Sequence, residues 1–184
     1  MGEEGGRATI EVAEAWPIPR REPELTISLA PPKGPRLAWA VQKLAELGVG
    51  EVRLMETERS VRSASSSSVA RLALVAREAG MQSAQPRVTG VSGQERFEEA
   101  VANVRGVGVM LHEGASDRLN GLLPDGADRL HLLVGPEGGF SDSEVSLARD
   151  AGFRVASLGP AILRTETAAV VGAALMLARY GRLG

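Results

Sequence analysis

From residue 25 onward, short apolar runs alternate with stretches whose apolar positions recur at helical spacing, and that alternation predicts an α/β domain. Leu25 to Leu29 (LTISL) reads as a strand closed by a Pro-Pro-Lys-Gly-Pro turn. From Arg36 to Leu47, the residues Leu37, Val41, Leu44 and Ala45 share one helical face, and Gly48 stands where a left-handed glycine ends a helix. A strand over Val52 to Met55 follows, then a helix that Ser65 to Ser68 can cap and that runs through Leu72, Val75 and Ala76 to Gly80. The next elements are a strand at Arg87 to Val91, a helix over Gln94 to Asn103 and an apolar strand at Gly106 to Leu111.

The second half is clearer: strand Leu130 to Val134, helix Ser141 to Ala151, strand Val155 to Leu158 and a long apolar helix from Thr165 to Tyr180. Strands that are apolar almost throughout, with helices between them, predict a mainly parallel sheet covered on both faces. Residues 1–24 are different. Gly5 and Gly6 open an alternating run from Ala8 to Val12, and WPIPRREPE reads as a connector. A lone strand there cannot bury its own face and must pair with something.

Composition narrows the function classes. Of 184 residues 43% are hydrophobic and 24% charged, the balance of a folded globular chain. Absence of cysteine excludes disulfides, thiolate metal sites and a cysteine nucleophile. His112 and His131 are the only histidines, too few for a three-histidine zinc centre; carboxylates could hold magnesium, but no metal is expected. There is no signal-peptide pattern and no apolar stretch long enough to cross a bilayer, so a cytoplasmic protein without membrane partners is expected.

The net charge of −2 argues against a uniformly basic nucleic-acid wrapper, yet the charge is uneven. Residues 33–87 carry nine Lys/Arg against five Glu, whereas residues 111–184 carry seven Arg against nine Asp/Glu. The first portion can face a polyanion or be an ordinary solvated surface.

Two segments stand out chemically. Gly135-Pro136-Glu137-Gly138-Gly139-Phe140 follows directly on LHLLV, exposing backbone groups at the carboxyl edge of a parallel sheet, where open α/β folds usually bind ligands. Ser141 then caps the next helix, with Glu144 completing a capping box. The glycine spacing is not that of a dinucleotide fingerprint, and the Gly-Lys-Ser/Thr ending of a phosphate loop is missing. A tight turn without ligand is the bland alternative. The second segment runs from Leu158 to Thr167 (LGPAILRTET). Its apolar Ala161 to Leu163 sits poorly in water, and Arg164 and Glu166 flank a helix start whose dipole favours a carboxylate or an anion. Arg164 and Glu166 can equally form a local ion pair. His112 and Glu113 close the strand that ends at Leu111, again at a carboxyl edge; His112 can act as a general base or simply make a backbone hydrogen bond.

GPEGGFSDSEV at 135–145 and LGPAILRTETA at 158–168 resemble the paired signature of the bacterial methyltransferases that modify N3 of a uridine in small-subunit ribosomal RNA, members of the SPOUT superfamily. Lys33-Gly34 with Arg36, QKLAELGV at 42–49, and Glu78-Ala79 with Gln82-Ser83 extend the likeness over roughly residues 25–180. The resemblance implies an α/β domain over 25–184 with a deep C-terminal trefoil knot, a homodimer, and a substrate of small-subunit ribosomal RNA or the assembled subunit. It implies that S-adenosylmethionine lies in a pocket built from Leu111, His112 and Glu113, from the turn Gly135, Pro136, Glu137, Gly138 and Gly139, and from Leu158, Gly159, Ile162, Leu163 and Thr167. Arg164, Glu137 and Glu166 are the expected catalytic residues, one carboxylate taking the uracil N3 proton. Val170, Val171, Ala174 and Leu175 are candidates for the dimer interface.

The likeness has two departures. Family members begin with a β-barrel RNA-binding domain, of which residues 1–24 would be a PUA-like remnant or a flexible arm, and Gln85 stands where an arginine is usual. A knotted protein that binds cofactor or RNA without methyl transfer is the competing expectation.

Overall fold

A computed structural model describes residues 11, 13–15, 17–18, 22–60 and 66–183. The strand expected over Ala8 to Val12, and most of the arm that would contain it, lies outside the described residues. In chain order the elements are β1 (Glu24–Leu29), α1 (Arg36–Glu46), β2 (Glu51–Glu56), α2 (Ser66–Gln82), β3 (Gly90–Arg96), α3 (Phe97–Ala102), β4 (Val107–Leu111), α4 (Leu119–Leu122), β5 (Arg129–Val134), α5 (Asp142–Asp150), β6 (Arg154–Ala156) and α6 (Thr165–Arg179). Every strand pairs in parallel, in the order β3-β2-β1-β5-β4-β6.

Register explains the two-faced core. Leu25, Ile27 and Leu29 of β1 stand beside Leu130, Leu132 and Val134 of β5, so alternate residues of both strands face the same way. That face carries the larger core, closed by Ala40, Val41 and Leu44 of α1, Leu72 and Ala76 of α2, and Ala169, Ala173, Met176 and Leu177 of α6. Met55, Met110 and Leu133 point to the other face, against Phe97 and Ala100 of α3, Ala148 of α5, and Phe140 and Phe153. Each large aliphatic side chain buried this way is worth roughly 1.5–3 kcal/mol.

The termini of α1 and α5 follow the expected chemistry. Gly48 has φ +75° and its N–H reaches Ala45 O at 3.0 Å. Ser141 Oγ accepts from Glu144 N at 3.3 Å while Glu144 Oε2 accepts from Ser141 N at 2.8 Å, a complete capping box.

Three elements differ from the sequence reading. β3 begins at Gly90 and runs on to Arg96, taking the first turn of the helix expected from Gln94. The strand wins because Met55 pairs with Glu95 and Glu56 with Arg96, and because Glu95, projecting onto the sheet face, accepts from Ser28 and Arg53. β6 stops at Ala156, since Ser157 N donates to Asp117 O at 2.8 Å and draws the chain toward the segment after β4. α4 is one short turn, too short to show a periodicity.

The C-terminal passage is threaded. Gly172 of α6 sits so close to the sheet that a Cβ there would lie 2.9 Å from Leu132 and 3.1 Å from Leu111. On its outer side α6 meets α4, Arg179 pairs with Asp125, and Tyr180 Oη donates to Pro124 O at 2.6 Å. The chain leaving β6 therefore passes between the sheet and the connection 112–128, the path of a C-terminal trefoil knot, which few proteins adopt.

One polar chain crosses the second face. Arg53 Nη1 donates to Glu95 Oε1, Ser28 Oγ donates to Glu95 Oε2 at 2.8 Å, and Ser28 Oγ lies 2.9 Å from His131 Nε2. With the serine proton committed to Glu95, the histidine N–H donates to Ser28. Burial, reinforced by the nearby Arg53 charge, lowers the His131 pKa to about 4. The unfolded chain thus takes up a proton near its usual value of about 6.5 while the folded one resists, so stability is full above that range and falls as the pH drops toward 4. We predict a loss of roughly 3 kcal/mol from this residue between pH 7 and 4. Urea unfolding of His131→Gln should show a shallower acid slope than the parent chain; equal slopes would refute the assignment.

Candidate functional site

β4 lies between β5 and β6, so the segments leaving all three strands emerge side by side at one carboxyl edge. They enclose a cavity of about 280 Å³. Its first wall is Leu111, His112 and Glu113. His112 N extends the ladder by donating to Ala156 O at 2.9 Å, and its ring Nδ1 accepts from Gly114 N at 3.1 Å, which leaves Nε2 as the ring position that carries hydrogen.

The second wall is the glycine turn. Gly139 has φ +69° and its N–H closes onto Pro136 O at 2.9 Å. Phe140 folds back over Gly135 so tightly that a Cβ at Gly135 would lie 2.9 Å from the ring. The first residue of α6 pins this wall: Thr165, itself buried, donates from Oγ1 to Gly135 O at 3.1 Å. Pro136 is buried, whereas Glu137 is exposed at the cavity wall.

The third wall is the loop between β6 and α6. Gly159 adopts φ +137°, a conformation that side chains avoid. Leu158, Ala161, Ile162 and Leu163 form an apolar lining, and Ile162 is 82% exposed. Arg164, extended at the N-cap of α6, stands exposed against the cavity.

The structure thus brings together Leu111, His112, Glu113, Gly135, Pro136, Glu137, Gly139, Leu158, Gly159, Ile162, Leu163 and Arg164. Gly138, Glu166 and Thr167 lie outside the lining. Glu166 is 6% exposed and turned toward α1, with Oε1 3.6 Å from Arg36 Nε and Oε2 without a hydrogen-bond partner among the described residues. Val134, Phe140, Ser157, Thr165 and Ala168 also line the cavity. Phe140 carried a signal, since an aromatic directly after a glycine pair is placed to cover it. Thr165 and Ala168 carried none, because only the threading of α6 brings them near β5.

The basic excess of residues 33–87 is partly spent within the fold. Lys43 pairs with Glu46 at 2.7 Å, and Arg53 pairs with Glu51 and Glu95.

Residues 20–177 match the family model for an RNA methyltransferase domain. Ribosomal RNA small subunit methyltransferase E of Mycobacterium bovis is 33% identical over 182 residues, covering 92% of this chain and 69% of the relative. The chain belongs to this family. The enzyme of the same name from Synechocystis is 30% identical over 90% of this chain and 55% of its own length. Among solved structures, ribosomal RNA small subunit methyltransferase E from Neisseria gonorrhoeae, bound to S-adenosyl methionine, superimposes with a TM-score of 0.80 at 28% identity. That match covers 85% of this chain and 66% of the other. The chain therefore spans between about half and 70% of these relatives, and it shares its fold with the Neisseria structure.

The packing of Phe140 on Gly135 gives a test of the turn. Gly135→Ala should force the ring away and lower stability by about 1–3 kcal/mol, measured by chemical denaturation. A fully stable variant would mean that the turn tolerates a shifted Phe140.

Proposed function

We propose that this chain is an S-adenosylmethionine-dependent methyltransferase acting on N3 of a uridine in small-subunit ribosomal RNA, and that it works in the cytoplasm. The observation that carries this reading is the meeting of three carboxyl-edge segments around a half-apolar cavity, with an arginine and a carboxylate at its wall. The names of its relatives and the cofactor bound by the Neisseria neighbour support it.

The lining suits a bent, half-apolar cofactor. Leu158, Ile162 and Leu163 offer apolar surface, and Gly139 and Gly159 bring bare main chain to the cavity wall. His112, Glu113 and Glu137 add polar groups for its charged end. When bound there, S-adenosylmethionine supplies an electrophilic methyl carbon.

The uracil N3 carries a proton that must leave as the new bond forms. Glu137, exposed at the wall, is the better acceptor, because Glu166 is buried beside Arg36 and faces away from the cavity. Arg164 is placed to offset negative charge on the uracil oxygens. Holding the base in line with the methyl donor provides the remaining advantage.

We assign the functional unit as a homodimer. The stripe Ala169, Gly172, Ala173 and Met176 of α6 is buried within the chain, while Val171 and Ala174 lie on another face and are only half-covered. Trp39 of the adjoining α1 is 43% exposed. A second copy on this face would cover them. Light scattering should give twice the chain mass for the parent protein and the chain mass for Val171→Glu. A monomeric parent at micromolar concentration would overturn the assignment.

Calorimetry with S-adenosylmethionine and methyl-transfer assays on small-subunit RNA and assembled subunits test the reaction. Glu137→Gln and Arg164→Ala should each slow transfer by roughly 10²-fold or more. Near-normal rates in both variants would remove these residues from the chemistry. Cofactor binding with no transfer to either substrate would indicate a binding protein.

A further inference from the structure

The connection after β2 touches the glycine turn from outside, and neither the pocket nor the proposed chemistry uses it. Thr57 to Ser60 is a preorganised turn: Ser60 N donates to Thr57 O at 3.0 Å, Thr57 N donates to Ser60 Oγ at 3.0 Å, and the two hydroxyls are 2.8 Å apart. Its tip presents Glu58 and Arg59. Glu58 N donates to Glu144 Oε1 at 2.8 Å, while the other oxygen of Glu144 holds Ser141 N. Arg59 Nη1 donates to Gly138 O at 3.0 Å and to Phe140 O at 3.4 Å, across about eighty residues of sequence. Its side chain lies over Gly138, where a Cβ would come within 3.5 Å of Arg59 Cβ.

Among the described residues no carboxylate pairs with Arg59. A guanidinium that holds two main-chain carbonyls and no acid acts on backbone shape, because each charge-assisted bond fixes the direction of a peptide plane. Two amides beside those carbonyls are committed as well, Gly139 N to Pro136 O and Ser141 N to Glu144. The outer half of the turn is thus held by the β2 connection, and its inner half, Gly135 to Glu137 with Gly139, is cavity wall.

We propose that Arg59 is a positioning residue for the cofactor: from outside the cavity it holds the glycine turn in the shape that accepts S-adenosylmethionine. The inference rests on the cofactor reading given above. Arg59 is exposed and buries no core surface, so its removal should leave the fold intact and be felt through the turn alone.

The test combines calorimetry, thermal melting and methyl-transfer kinetics on the full chain and on Arg59→Ala and Arg59→Lys. The alanine variant should bind S-adenosylmethionine about tenfold more weakly, the scale of a lost charge-assisted hydrogen bond, with nearly unchanged melting and with kcat restored at saturating cofactor. Lysine retains a charged donor and should recover part of the affinity. Parent-like affinity in Arg59→Ala, or a fall in kcat with affinity unchanged, would overturn the proposal. If the alanine variant melts early, Arg59→Lys decides: weakened cofactor binding in a stable protein supports the role, and unchanged binding overturns it. A parent chain that melts normally but fails to bind the cofactor would overturn the cofactor reading itself, and this inference with it.

Discussion

Parallel pairing of β4 with β5 on one side and β6 on the other is the constraint on which the site depends. Parallel strands end at the same edge, so three segments far apart in sequence are delivered to one place. The pairing also dictates threading. The chain leaves β6 next to β4, yet the apolar face of α6 finds its partners on β1 and β5, beneath the connection 112–128. Gly172 permits the approach, since the methyl of an alanine there would crowd both Leu111 and Leu132. Cavity and knot thus follow from one arrangement of strands.

Much of this was legible from residues alone. The periodicities of Arg36 to Leu47 and Thr165 to Tyr180, and the apolar runs at Leu25, Val107 and Leu130, marked elements whose faces are decided by burial. Elements decided by long-range polar contacts were not legible. β3 continues through Gln94 and Glu95 because Ser28 and Arg53, on other strands, receive its carboxylate. A local reading of GQERFEEA favours a helix there, and tertiary pairing overrides it.

The same division holds at the cavity. Its glycine turn and apolar loop announce themselves by residues that are costly without a structural reason: glycines after a buried strand, and Ala161 to Leu163 in a loop. Thr165, Ala168 and Arg59 carry no such mark. Each is an ordinary residue in its local setting and acquires its place only through a contact with the segment after β5 or with the sheet. Glu166 shows the converse: its place at a helix start after an apolar loop singled it out, and its burial beside Arg36 fits an anchor between α6 and α1 better than a group that exchanges protons with a substrate.

The start of α6 shows how these roles divide. Arg164 is still extended, while Thr165 and Glu166 open the helix about 100° apart, so the three neighbours serve different partners. Arg164 faces the cavity, Thr165 donates to Gly135 O, and Glu166 turns to Arg36. One helix end therefore fixes the glycine turn, ties α6 to α1 and presents a cation to the cavity. A displacement of α6 would alter all three at once. Since α6 also bears the half-covered Val171 and Ala174, an assembly that seats this helix against a second copy would steady the cavity wall as well as bury apolar surface, linking the proposed dimer to the chemistry through a single rigid element.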